Sequence, residues 1–149
     1  MKKLLVLFSL LCMALPCFAT NPDYIELFEK TYLNVNRIDV YKSLNVVSFW
    51  IKSLNKNPKD KANWFAKADG SSVQWWYTLG NIQIDCKNRK SRTATLAIYD
   101  LKGMPLDTSD NITEWNTIIP DTYADAYYNL FCLVPYDENP LINKELRNK

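Results

Sequence analysis

Four cysteines and no histidine set the chemistry open to this chain of 149 residues. Cys86 raises the first question. It closes the alternating stretch NIQID, and Lys87, Arg89, Lys90 and Arg92 follow at once. A cysteine in that setting can be a nucleophile, a metal ligand, a disulfide partner or a small buried side chain beside a basic patch. Without histidine, Ser-His-Asp and Cys-His catalysis are excluded. A usual zinc site takes four ligands, mostly Cys and His, which the chain does not supply. No P-loop, EF-hand or glycine fingerprint occurs, and Gly70, Gly80 and Gly103 stand too far apart to cradle a phosphate. No cofactor is expected.

Carboxylates are the remaining catalytic candidates: Asp85, Asp100, Asp107, Asp110 and Glu114. A glycosidase needs two of them converging across a cleft. Acids in such segments are ordinarily solvated turn residues, so the chain is read as a non-enzyme. The sequon Asn111-Ile112-Thr113 is read as coincidental.

The N-terminus narrows the choice for Cys86. Lys2 and Lys3 precede the apolar run Leu4 to Leu15, and Cys17-Phe18-Ala19 resembles a signal-peptidase site. Residues 1–19 are therefore read as a signal peptide, cleaved between Ala19 and Thr20. Cys17 follows Pro16, a poor residue for a lipobox, so signal peptidase I processing is expected rather than lipidation. Export then places the chain in the periplasm or on the outer cell surface. Cys12 and Cys17 leave with the signal. Two cysteines remain, and in an exported chain the pair Cys86 and Cys132 reads first as a disulfide. The same cut removes two of the 18 Lys and Arg, leaving 16 against 16 Asp and Glu. A neutral mature chain lacks the basic surplus that nucleic-acid binding normally shows.

The elements that must position these residues follow from periodicity. Tyr24–Phe28 and Tyr32–Val35 read as strands, and 37–44 as a turn or one helical turn. In 45–54, NVVSFWIKSL, Val47, Phe49 and Ile51 share one face; Val46, Ser48, Trp50 and Lys52 share the other. Pro58 and the charges of 55–63 mark a loop, and loop 55–72 is where specificity is expected. Val73–Cys86 is extended, with a bulge or turn at Gly80-Asn81. Residues 91–99 form the next strand. Asp100–Gly103 is a hairpin turn in which Gly103 can take positive φ. Strands are expected at 104–107 and 114–119. A helix follows, capped by Asp121 or Thr122. Its stripe is Tyr123, Tyr127, Leu130, Phe131 and Val134, with Cys132 near its end and Pro135 as its stop. Strands followed by one helix argue an α+β domain, an antiparallel sheet with a C-terminal helix packed on it. The domain is assigned to residues 20–136, and residues 137–149 to a charged, frayed tail.

Trp64, Trp75, Trp76 and Tyr77 make an aromatic group. Trp75 and Tyr77 are read as covering the core, and Trp76 as lying on the other face. Trp76 and the basic run Lys87, Arg89, Lys90 and Arg92 are the candidate partner-binding residues.

Taken in order, YIELFEKTYLNVNRIDV, VVSFWIK, IDCKNRKSR with LAIYDLKG, and WNTIIPDTYADAYYNLFC resemble the surface-adhesin protein E family of Gram-negative bacteria. The resemblance spans most of residues 24–134. It implies a compact antiparallel sheet whose C-terminal helix is tied back by a Cys86–Cys132 bond. It also implies attachment to host extracellular-matrix or plasma proteins such as laminin, vitronectin and plasminogen, with no catalytic residues. The alternative is a periplasmic small-ligand-binding or inhibitor-like domain that is not exposed at the surface. An open sheet edge is also a route to a homodimer, though no residue pattern specifies one.

Overall fold

The computed structural model describes residues 23–61 and 64–143. The proposed signal peptide, its cleavage site at Ala19 and Thr20, and residues 144–149 of the tail lie outside them. The strands are β1 (Tyr24–Phe28), β2 (Thr31–Tyr41), β3 (Val46–Leu54), β4 (Phe65–Ala66), β5 (Ser72–Val73), β6 (Trp75–Asp85), β7 (Lys90–Asp100), β8 (Pro105–Ser109) and β9 (Asn116–Thr117). One α-helix, α1 (Tyr123–Cys132), follows them. The main sheet is antiparallel in the order β1-β2-β3-β6-β7-β8, and β9 pairs with the start of β7. β4 and β5 form a separate small hairpin.

The core lies between one face of this sheet and α1. Val47 and Phe49 of β3 pair with Ile84 and Ile82 of β6, so period-two alternation puts all four on the helix side. Phe49 meets Phe131 at 4.5 Å and Tyr127 at 5.1 Å between ring centroids. Leu33, Val47, Phe49, Ile84 and Phe131 are fully buried. On the opposite face the buried Ser48 hydroxyl donates to Asn81 Oδ1 at 3.1 Å, which satisfies both groups.

Several elements differ from expectation. β2 does not turn at Arg37. It bulges between Asn34 and Ile38 and continues to Tyr41, leaving only Lys42–Leu44 as a short helical turn. The Asn34 side chain accepts from the Asn36 amide inside the bulge, and Ile38 and Val40 then pack against the core. Gly80-Asn81 is no turn either: β6 runs straight through it. The irregularity sits in the partner strand, where Asn81 pairs Thr95 and Ile82 pairs Thr93. With alternation unbroken there, Tyr77 falls on the face away from α1 together with Lys52, whose ammonium stands 4.2 Å from its ring. Tyr77 therefore does not cover the core. The strand expected at 114–119 shortens to Asn116–Thr117, and Ile118 turns into the core.

Thr122 is the N-cap of α1, its hydroxyl accepting from the Asp125 amide. Only the middle of the predicted stripe is buried: Tyr127 and Phe131 face the core, whereas Tyr123 and Val134 are exposed. The described part of the tail is packed rather than frayed. Asn139 is 2 % exposed. Its amide donates to Leu130 O at 2.8 Å, satisfying a carbonyl that the helix end leaves free. Leu141 and Ile142 rest on the core behind it.

Candidate functional site

Cys86 ends the rise of β6, and its backbone amide donates to Asn45 O at 2.9 Å. Cys132 is the last residue of α1. The two are disulfide-bonded, with Cα atoms 5.4 Å apart and a sequence separation of 46. In the chain-entropy account a loop of that size contributes roughly 4 kcal/mol. The bond pins the β6–β7 hairpin to the end of the helix and removes both sulfurs from nucleophilic or metal chemistry.

The basic run lies in this hairpin, but it is not a single free patch. Arg89 takes a left-handed backbone (φ 50°), which turns its side chain back over the helix. Its guanidinium donates to Asp125 Oδ1 at 2.7 Å and stands 5.1 Å from the Tyr128 ring. Arg92 donates to Gln83 Oε1 at 2.8 Å and covers the Trp115 ring at 4.3 Å. Both arginines are thus held by other parts of the fold. Lys87 projects into solvent, and Lys90 is half-buried beside Asp85. Asp85 itself holds the turn, accepting from the Asn88 amide and side chain at 2.9 and 2.8 Å. Burial alone would raise its pKa; the Asn88 bonds, the Lys87 amide and the Lys90 charge outweigh that and hold it below the usual carboxylate range.

Trp76 is somewhere else. It is 44 % exposed and sits in a bulge near the opposite end of β6. At about 3.3 Å per residue, roughly 30 Å separates it from Cys86. The candidate residues therefore form two sites rather than one. Around Trp76 the far end of the sheet is aromatic and apolar. Tyr77 stacks on Tyr99 at 4.6 Å, and Lys52 stands 6.0 Å from the Tyr24 ring as well as over Tyr77. Burial first, then Tyr99, Tyr24 and Asp100, push the Tyr77 phenol above its ordinary pKa. At the β7–β8 turn Leu101 and Met104 are exposed, and Gly103 takes the positive φ the turn requires. Loop 55–72 is anchored here as well. The Asn55 amide donates to Trp76 O at 2.7 Å, and the Asn55 side chain donates to Trp75 O. Trp64 and Gln74 both donate to Pro58 O. Sequence reasoning missed Tyr24, Lys52 and Tyr99. The signal was faint: alternation placed Lys52 opposite Phe49, but only the cross-strand register reveals its partners.

The candidate carboxylates are spread over β6, β7, β8 and the segment that follows it. Asp100 accepts from the Lys102 and Met104 amides and so builds its turn. Asp85 and Asp100 stand at opposite ends of the β6–β7 hairpin. Asp107, Asp110 and Glu114 are exposed. Among the described residues no group of three or more Cys, Asp or Glu could hold a metal ion, and no helix is long and apolar enough to cross a membrane.

Comparison with known proteins bears on this arrangement. The solved structure of protein E from non-typeable Haemophilus influenzae superposes with a TM-score of 0.58 at 13% identity, covering 91% of this chain and 95% of that one. A second structure of Haemophilus influenzae protein E gives 0.54 at 17% identity, covering 74% of this chain and 84% of that one. At such identities the likeness concerns the fold. No curated protein matches the sequence. The family profile described as surface-adhesin protein E matches residues 29–133, from the β1–β2 turn to the residue after Cys132, and this chain belongs to that family.

Proposed function

We propose that this chain is an exported, non-enzymatic adhesin of the cell envelope that binds host extracellular-matrix or plasma proteins. The observation that carries this reading is the family match over residues 29–133. The structure supports a binding module in two ways. The disulfide and the Arg89–Asp125 pair brace one end of the sheet. The other end presents Trp76, Leu101 and Met104 to solvent beside an anchored loop. Exposed aromatic and apolar side chains on a rigid frame are the usual anchors of protein interfaces. Export rests on residues 1–19, with signal peptidase I cutting between Ala19 and Thr20.

Two measurements test the reading. Protease shaving of intact cells should cleave the mature domain; full protection would rule out host adhesion and favour a periplasmic role. Purified residues 20–149 should bind immobilised laminin, vitronectin or plasminogen saturably. Failure on all three surfaces, with the disulfide intact, would remove the adhesive function.

A further inference from the structure

A cavity of about 340 Å³ opens between α1, the first half of β7 and the segment leading into β9. Its size falls within the range of about 300–1,000 Å³ usual for small-molecule sites. Ile82, Ala124 and the ring of Tyr127 give it apolar wall; Ser91, Thr93 and Asn116 give it polar wall. Tyr127 is only 5 % exposed, and no protein group among the described residues hydrogen-bonds its hydroxyl. Yet among the described residues no side-chain oxygen or nitrogen fully shut from solvent lacks a partner. The small exposure of Tyr127 therefore includes its Oη, and Tyr127 lines this cavity. A phenol so placed has left bulk water without gaining a protein partner, which is unfavourable unless a ligand or solvent supplies one. Among the described residues the Ser91 and Thr93 hydroxyls and Asn116 Oδ1 are likewise without protein partners.

The lining also states the charge of what would fit. It contains no carboxylate. Its one cation, Arg92, is held by Gln83 and Trp115. Thr113 already exchanges hydrogen bonds with the Thr93 backbone. What remains free is a set of neutral donors and acceptors facing an apolar floor. We infer that the cavity binds one neutral, hydroxyl-rich ring of the monosaccharide class. Such a ring offers hydroxyls to Tyr127, Ser91, Thr93 and Asn116 and a C–H face to Ile82 and Ala124. A free sugar and the terminal residue of a glycan share that chemistry. The residues involved are distinct from those of the far end, so the site does not depend on adhesion through Trp76.

The test is a titration of the isotopically labelled mature protein by amide NMR with glucose, galactose, mannose and N-acetylglucosamine, against glucuronate and glucosamine as charged controls. At least one neutral sugar should give saturable shifts centred on Ser91, Thr93, Asn116 and Tyr127. Tyr127→Phe should weaken that binding by about tenfold, the loss of one good hydrogen bond. The same variant should melt no lower than wild type, because the hydroxyl has no protein partner to lose. Ser91→Ala should weaken binding severalfold and gives a second test should Tyr127→Phe misfold. An oligosaccharide ending in the same sugar that binds equally well identifies a glycan terminus as the source; one that is refused identifies the free sugar. Absence of saturable shifts at these residues, tighter binding of the charged sugars, or wild-type affinity in both variants would overturn the proposal.

Discussion

At one end of β6, Cys86 is bonded to the helix, Arg89 is paired with Asp125, and Asn139 closes the helix terminus. At the other end, Trp76, Leu101 and Met104 stand in solvent. The first end holds the disulfide and the Arg89–Asp125 pair, with Leu44, Leu133 and Val134 exposed around them; the second holds the anchored loop and the exposed Trp76, Leu101 and Met104. The contrast explains why a run of cations need not be a docking patch. Two of its four members are already bonded within the domain, and a bonded arginine offers a partner less than a free lysine does.

The widest gap between the ends should appear when the staple is cut. Cys86→Ser with Cys132→Ser is expected to cost roughly 4 kcal/mol by urea unfolding, more than any single substitution at the Trp76 end. A loss below about 1 kcal/mol would mean the other ties hold the hairpin without the bond. Alkaline pH gives the next effect. Burial, with the neighbouring Tyr123, pushes the Tyr127 phenol up to about 12. Its unfolded value is near 10, so its contribution is complete below that pH and is lost as pH rises from there through about 12. The loss amounts to roughly 2–3 kcal/mol. Tyr127→Phe should abolish that alkaline limb, as read from unfolding midpoints across this window.

Asn139→Ala strips Leu130 O of its partner and should cost about 1–3 kcal/mol by thermal or urea unfolding. An unchanged midpoint would return the tail to the frayed state that its charge suggests. Smaller still is Arg89→Ala, at about 1 kcal/mol for a half-exposed pair, against almost nothing for Lys87→Ala. Equal effects from the two would erase the distinction between bonded and free cations.

How far the sequence reveals this division depends on the range of the interactions. Local signals read well. Val47 and Phe49 alternate onto the core, Thr122 caps the helix, and Gly103 serves the hairpin turn. Cysteine arithmetic also finds the staple, because Cys86 and Cys132 are the two cysteines left once residues 1–19 are read as a signal. Signals that need a partner do not read. The β2 bulge depends on an asparagine side chain folding back on its own backbone, which looks like a turn in a string of letters. A break at Gly80-Asn81 would reverse the parity of Tyr77, but the extra residue sits in the partner strand; Lys52, 25 positions away, reveals the true face of Tyr77. The charge of the tail concealed Asn139, whose role depends on the helix end it meets. The basic run looked continuous because Asp125 and Trp115, which occupy its arginines, lie more than 20 positions downstream.

On the proposed function, binding belongs to the aromatic end and the disulfide braces the other. The most direct test measures the affinity of the mature protein for whichever matrix or plasma protein it captures, beside Trp76→Ala and the pair Lys87→Ala with Lys90→Ala. Trp76→Ala should lose about tenfold or more in affinity, as an interface anchor does, with its melting temperature unchanged. The double lysine variant should bind nearly as wild type. Full affinity in Trp76→Ala together with lost binding in the lysine pair would contradict the account and return the contact surface to the turn behind Cys86.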